Sequence, residues 1–134
     1  MDCVFCKIIA GQIPAQKVYE DADTLAFLDI APTNKGHTLV IPKKHFVTIE
    51  DTPPEVLEKV AVTLGKVARA VHLGTACEGY NVQQSNYPAG GQVVPHLHFH
   101  IVPRFSNDGL HLWPHKKYEP GEAEAYQRKI AKHL

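Results

Sequence analysis

The chain has no excess of charge of either sign: 14 Lys and Arg stand against 14 Asp and Glu over 134 residues, and no stretch concentrates the basic ones. Binding to polymeric nucleic acid draws on a basic face that neutralises phosphates, so DNA and RNA are not expected partners. Long apolar runs are missing too. Nothing approaches the roughly 18 apolar residues that cross a bilayer. The short apolar stretch from Met1 to Ile13 is broken by Asp2 and Lys7, with no small-residue cleavage site behind it. The expectation is a cytoplasmic protein without membrane contact. Cysteine is sparse, and Cys3, Cys6 and Cys77 make no disulfide framework. Repeats and low-complexity segments are absent as well. What remains is ordinary globular composition, 44% hydrophobic and 21% charged, so residues 1–134 are expected to form one domain.

Turn residues divide the chain into short elements. Lys17 to Glu20 and Thr24 to Ile30 read as two strands of a hairpin joined through Asp21, Ala22 and Asp23. The turn-rich Pro32 to Gly36 leads into a third strand, His37 to Ile41, stopped by Pro42. Thr52, Pro53 and Glu55 spell a helix start, with Thr52 as cap, Pro53 at the first helical position and Glu55 closing a capping box. Val56, Leu57, Val60, Ala61, Leu64, Val67, Ala68 and Val71 recur at helical spacing behind it. Tyr80 to Gln84 and His96 to Val102 complete five strands, and Ala123 to His133 reads as a last helix. Early hairpin connections and segregated helices predict an α+β fold: a five-stranded, mainly antiparallel sheet with one long and one C-terminal helix.

The most informative stretch is His96-Leu97-His98-Phe99-His100-Ile101-Val102. In a strand, alternate side chains share a face, so the three imidazoles line one side while Leu97, Phe99 and Ile101 pack on the other. Three adjacent imidazoles are costly to desolvate unless they meet a ligand or partners, which argues against packing as their only role. Two chemistries remain open. The imidazoles are ligands of a catalytic metal, or the central one is a nucleophile whose second nitrogen is fixed by a hydrogen bond. Gly90 and Gly91 upstream permit close approach of backbone N–H groups to an anion, and Gln92 adds an amide donor.

The histidine string, preceded by Gly91-Gln92, resembles the signature of the histidine triad (HIT) superfamily, His-φ-His-φ-His-φ-φ with φ apolar. The resemblance runs on through Cys3-Val4-Phe5-Cys6-Lys7-Ile8-Ile9, Leu25-Ala26-Phe27-Leu28-Asp29-Ile30 and Gly36-His37-Thr38-Leu39-Val40-Ile41-Pro42-Lys43-Lys44-His45, in the order of the small HIT nucleotide hydrolases. It implies cleavage at the α-phosphate of nucleoside phosphoramidates or dinucleoside polyphosphates through a nucleotidyl-histidine intermediate. The nucleophile it implies is His98. His100 corresponds to a histidine that contacts phosphate oxygens, and His37 to a supporting one. Asp29 corresponds to an acid that accepts from ribose hydroxyls, while Phe5, Ile8, Phe27 and Ile30 correspond to positions around the base. The implied substrate is a purine nucleotide of adenosine type, and the implied assembly is a homodimer.

Two positions depart from that pattern. Val93 stands where many relatives carry Ser or Thr, which leaves the backbone N–H after Gly91 and Gln92 to act alone. Ser85 stands where many have Asn or Gln, with Asn86 one residue later, so either of the two is a candidate for substrate contact. Cys3 and Cys6 have metal-ligand spacing, and the resemblance completes a structural zinc site with His45 and His96. Two further readings are a nucleotide-binding module without catalysis, supported by Val93, and a zinc-dependent hydrolase using the three histidines as ligands. The second is strained from the outset, because residues i, i+2 and i+4 of one strand span about 13 Å.

Overall fold

Strands that alternate in side-chain direction need two covers, and this chain supplies a different one for each face of its sheet. In the computed structural model, which describes residues 2–134, the order is α1 (Val4–Ile9), β1 (Lys17–Glu20), β2 (Thr24–Leu28), β3 (Thr38–Pro42), α2 (Pro54–Thr75), β4 (Gly79–Gln84), β5 (Phe99–Arg104) and α3 (Glu122–Ala131). A single 3-10 turn, Pro88–Gly90, lies between β4 and β5. Met1, where the stretch read for a leader begins, lies outside the described residues. No helix among them is long and apolar enough to cross a membrane.

The strands form one sheet in the order β1-β2-β3-β5-β4 with every pairing antiparallel, so the expected α+β architecture is present. The β1–β2 hairpin turns on Asp21, whose carboxylate accepts the N–H groups of Asp23 and Thr24 at 2.9 and 2.7 Å. Ala26, Val40 and Ile101 point to α2 and meet Val60, Val67, Ala68 and Val71. Leu25, Phe27, Leu39 and Ile41 point the other way and meet Cys3, Phe5 and Ile8. Full burial of side chains such as Leu25 and Ile41 stabilises the fold by about 1.5–3 kcal/mol each. The α2 face is a helix-on-sheet core; the α1 face holds the site.

Five local readings are corrected. The helix starts one residue later than expected: Pro53 is its cap, Pro54 its first residue, and no side chain caps it. Thr52 does not close a capping box, because its hydroxyl donates to the carbonyl of Thr48 at 2.8 Å. The helix also runs on to Thr75, ending at Ala76 in the left-handed region. The histidine stretch is not a strand throughout, since β5 begins only at Phe99. Ahead of it, His96 N–H bonds to the carbonyl of Val94 and Leu97 N–H to that of Phe46, which takes His96 to His98 out of the β3 ladder. Finally, Val4–Ile9 forms a helix that the sequence reading left unassigned. Six residues are too few for a stable helix in isolation, so packing of Phe5 and Ile8 on β2 and β3 holds it.

Candidate active site and metal centre

On the α1 face, β2, β3 and β5 bring Asp29, His37, His98 and His100 together. His100 pairs with Leu39 across the β3–β5 ladder, and Asp29 N–H bonds to the carbonyl of His37 at 2.9 Å. A cavity of about 460 Å³ opens beside them. Phe5, Ile8 and Phe27, all nearly buried, line its interior; Gly91 also lines its wall, as do Ile30, 97% exposed, and Val93, 88% exposed. The polar side chains on its wall are Asp29, His98 and His100. Sequence reasoning missed the contributions of Val4, Ile13 and Val94, whose apolar character carries no signature distinguishing cavity wall from core.

Backbone partners fix the protons on the imidazoles. A carbonyl only accepts, so the 2.7 Å contact of His98 Nδ1 with the carbonyl of His96 makes Nδ1 the donor and leaves a lone pair on Nε2. The Thr33 N–H donates to His37 Nδ1 at 3.1 Å, so in the neutral ring the proton is on Nε2. That proton points to His100 Nδ1, 2.8 Å away, and the remaining proton of neutral His100 is then on Nε2. His98 and His100 therefore offer complementary atoms: an unshared pair and an N–H. Their ring centroids are 4.8 Å apart.

Burial keeps these rings neutral. Desolvation is the largest influence on all three and opposes the charged form: it lowers His98 and His37 below the ordinary imidazole range and takes His100 down to about 4. The neighbouring imidazoles push His100 the same way, while Asp29 pulls all three weakly upward. Phe5 packs edge-on against His98 and Phe27, with centroids 5.2 and 5.4 Å away, and shields the ring from water.

Ser85, Asn86 and Gln92 are not brought to this cavity. Asn86 accepts the N–H of Ile49 at 2.8 Å and exchanges hydrogen bonds with the amide of Gln84. Gln92 accepts the N–H of Tyr87 at 3.0 Å and donates to the carbonyl of Val47 at 2.7 Å. Both amides brace the loop that carries Gly91. Ser85 lines a separate groove beside Arg104 and Trp113.

His96 faces a different set of partners. Cys3, Cys6, His45 and His96 have their ligating atoms within 4.8 Å of one another. Contacts of 3.5 Å for Cys3 Sγ to His96 Nδ1, 3.3 Å for Cys6 Sγ to His45 Nδ1, 3.6 Å for Cys6 Sγ to His96 Nδ1 and 3.1 Å between the two Nδ1 atoms outline a tetrahedron. Zinc bonds of about 2.0 Å to nitrogen and 2.3 Å to sulfur give tetrahedral edges of roughly 3.3–3.8 Å, so the donors fit such an ion. The second nitrogen of His96 donates to the carbonyl of Pro42 at 2.9 Å, which leaves Nδ1 bare for a metal. Burial lowers the His96 imidazole to about 4 and so keeps it neutral. The zinc-hydrolase alternative fails here: His96 belongs to this group and His100 to a second one with Asp29 and His37, so the three histidines do not converge on one ion among the described residues.

Comparison with known proteins decides the family. The HIT domain model matches residues 10–107. The chain belongs to the HIT domain family. Among its relatives, adenosine 5′-monophosphoramidase hnt1 of Schizosaccharomyces pombe is 42% identical over 133 residues, covering 98% of this chain and 97% of that one. A crystal structure of a HIT family member from Bacillus subtilis superposes with a TM-score of 0.94 at 40% identity, covering 100% and 98% of the two chains. A zinc-bound histidine triad family protein from Mycobacterium smegmatis has a TM-score of 0.77 at 38% identity, over 100% and 99%. The family includes proteins named for nucleotide hydrolysis, and a nucleotide hydrolase is the activity supported at family level for this HIT domain.

Proposed function

We propose that the protein hydrolyses nucleoside phosphoramidates or dinucleoside polyphosphates at the α-phosphate, with His98 as nucleophile. The observation that carries this reading is the protonation of His98: Nδ1 held by the His96 carbonyl, Nε2 unshared at an apolar cavity. In the first displacement Nε2 forms a bond to phosphorus and the bond from phosphorus to the leaving group breaks, the electron pair departing with that group. Water then attacks the nucleotidyl-histidine, the P–N bond breaks, and the lone pair returns to His98. His100 supplies an N–H to the phosphoryl oxygens as charge grows on them, and His37 holds His100 in that state. The backbone N–H groups after Gly91 serve the same oxygens.

The nucleoside occupies the rest of the cavity. Phe5, Ile8, Phe27 and Ile30 enclose the base, which we take to be a purine of the adenosine type, and Asp29 accepts from the ribose hydroxyls. The name of the Schizosaccharomyces pombe relative supports this choice. Val93 lines the leaving-group side, and Asn86 and Gln92 serve it by bracing the loop, while Ser85, in its separate groove, takes no part. We assign a structural zinc to Cys3, Cys6, His45 and His96, where it ties α1 to the segment ahead of His98. One domain in the cytoplasm, acting as a homodimer, completes the proposal.

The test is replacement of His98. His98→Ala should abolish turnover of adenosine phosphoramidate while nucleoside monophosphate still binds; turnover persisting in that protein would remove the nucleophile assignment.

A further inference from the structure

The proton arrangement at His37 and His100 depends on one backbone N–H. The 2.8 Å contact between His37 Nε2 and His100 Nδ1 suits either direction of donation, since both atoms are imidazole nitrogens. With the proton on His37 Nε2, His100 presents an N–H at the cavity. With the proton on His100 Nδ1, it presents a lone pair there, which repels phosphoryl oxygens. What selects the first state is Thr33 N–H, 3.1 Å from His37 Nδ1, because a donor there excludes a proton from that nitrogen.

Thr33 lies in the 32–36 turn, outside any strand ladder. Asn34 holds the turn. Its amide donates to the carbonyl of Pro103 at 2.8 Å and to Asp108 Oδ2 at 3.1 Å, and its own carbonyl accepts from His37 N–H at 3.0 Å. Asp108 is fixed in turn by Arg104, whose Nε donates to Oδ2 at 2.8 Å. Pro103 belongs to β5, the strand that carries His100. Asn34 therefore references the turn to the same strand as the ring whose proton it governs.

We propose that Asn34 is a positioning residue that keeps Thr33 N–H on His37 Nδ1 and so sets the donor state of His100 at the cavity. Its catalytic consequence rests on the role given to His100 above; its effect on the protons does not.

The experiment is ¹⁵N NMR of the imidazoles in Asn34→Ala, with steady-state kinetics on adenosine phosphoramidate. In the unaltered protein His37 and His100 should each show a single Nε2–H tautomer. Asn34→Ala should give mixed tautomers at both rings and a fall in kcat on the order of 10- to 100-fold, with KM within about twofold. Thr63→Val is the control, since it removes a buried hydrogen bond to Thr24 on the α2 face, away from the turn. It should lower stability and leave both tautomers alone. Thr33→Pro deletes the N–H itself and should give the same mixed tautomers, and Asn34→Ser, which also removes the amide held by Pro103 and Asp108, replaces Asn34→Ala if that variant does not fold. Unmixed Nε2–H tautomers in the folded variant overturn the proposal. Mixed tautomers with unchanged kcat uphold the effect of Asn34 on the protons and overturn the donor role of His100.

Discussion

Chelating the zinc proposed for the Cys3, Cys6, His45 and His96 group should release α1 before it unfolds the sheet. The helix has six residues, and its hold on the domain is the packing of Phe5 and Ile8 together with the two cysteines that flank and enter it. An ion present at one hundred times its dissociation constant stabilises the folded state by about 2.7 kcal/mol. For a chain of this length that is a fall in melting temperature of roughly 10 °C on chelation. Burial of Phe5 and Ile8 contributes a further 3–6 kcal/mol or so, which keeps α1 docked most of the time even after the ion leaves. Its amides should then exchange about 100-fold faster, the same 2.7 kcal/mol expressed as an opening equilibrium, and should reach full exchange before those of β2 and β3, which open only with the whole domain. Elemental analysis of the purified protein, thermal melts with and without chelator, and hydrogen exchange read by mass spectrometry make the assay. Protein that carries no metal as purified, with identical melting and identical α1 protection in chelator, would refute the reasoning.

Two further outcomes follow from the buried imidazoles and one from a glycine. Because burial holds His98 below the ordinary imidazole range and His100 at about 4, kcat/KM should stay level as pH falls past 6.5 and decline only in more acid solution. A pH–rate profile whose acid limb lies at or above 6.5 would contradict that. The same shifts link to stability: below pH 6.5 the unfolded chain takes up protons that these rings refuse in the fold, so stability is full above 6.5 and drains away toward about pH 4. Denaturant melts across that window measure it. Gly36 has φ +95, and a Cβ there would sit 2.6 Å from Thr75 Cγ2, so Gly36→Ala should cost about 1–3 kcal/mol in a urea melt.

Most of the fold was legible because its signals are local. Asp21, Pro32 and Gly36 mark turns, and α2 shows its stripe from Val56 to Val71. The misses arose where tertiary contacts overrule local ones. α1 is too short to announce itself by periodicity, and it exists because Phe5 and Ile8 find the apolar face of β2 and β3. The histidine stretch alternates as a strand does, yet its first three residues leave the ladder because Leu97 N–H is taken by Phe46. That departure separates His96 from His98 and His100 and gives the chain two sites where a continuous strand offers one. At the cavity, His98 and His100 lie with Phe5, Ile8, Phe27 and Asp29, while His96 faces the cysteines. Gln92 and Asn86 could not be sorted from sequence, because an amide that braces a loop and one that binds a ligand are the same residue type. The selection of protons by Thr33 is invisible at sequence level, as every non-proline residue carries an N–H.

Covalent capture reads the chemistry of His98 itself. Protein mixed with adenosine phosphoramidate, quenched in base within milliseconds to seconds and digested, should yield one peptide bearing an added adenylyl group, fragmenting to His98 and absent from His98→Ala. Full turnover with no adduct at any histidine, or an adduct on His37 or His100 that survives removal of His98, would contradict it.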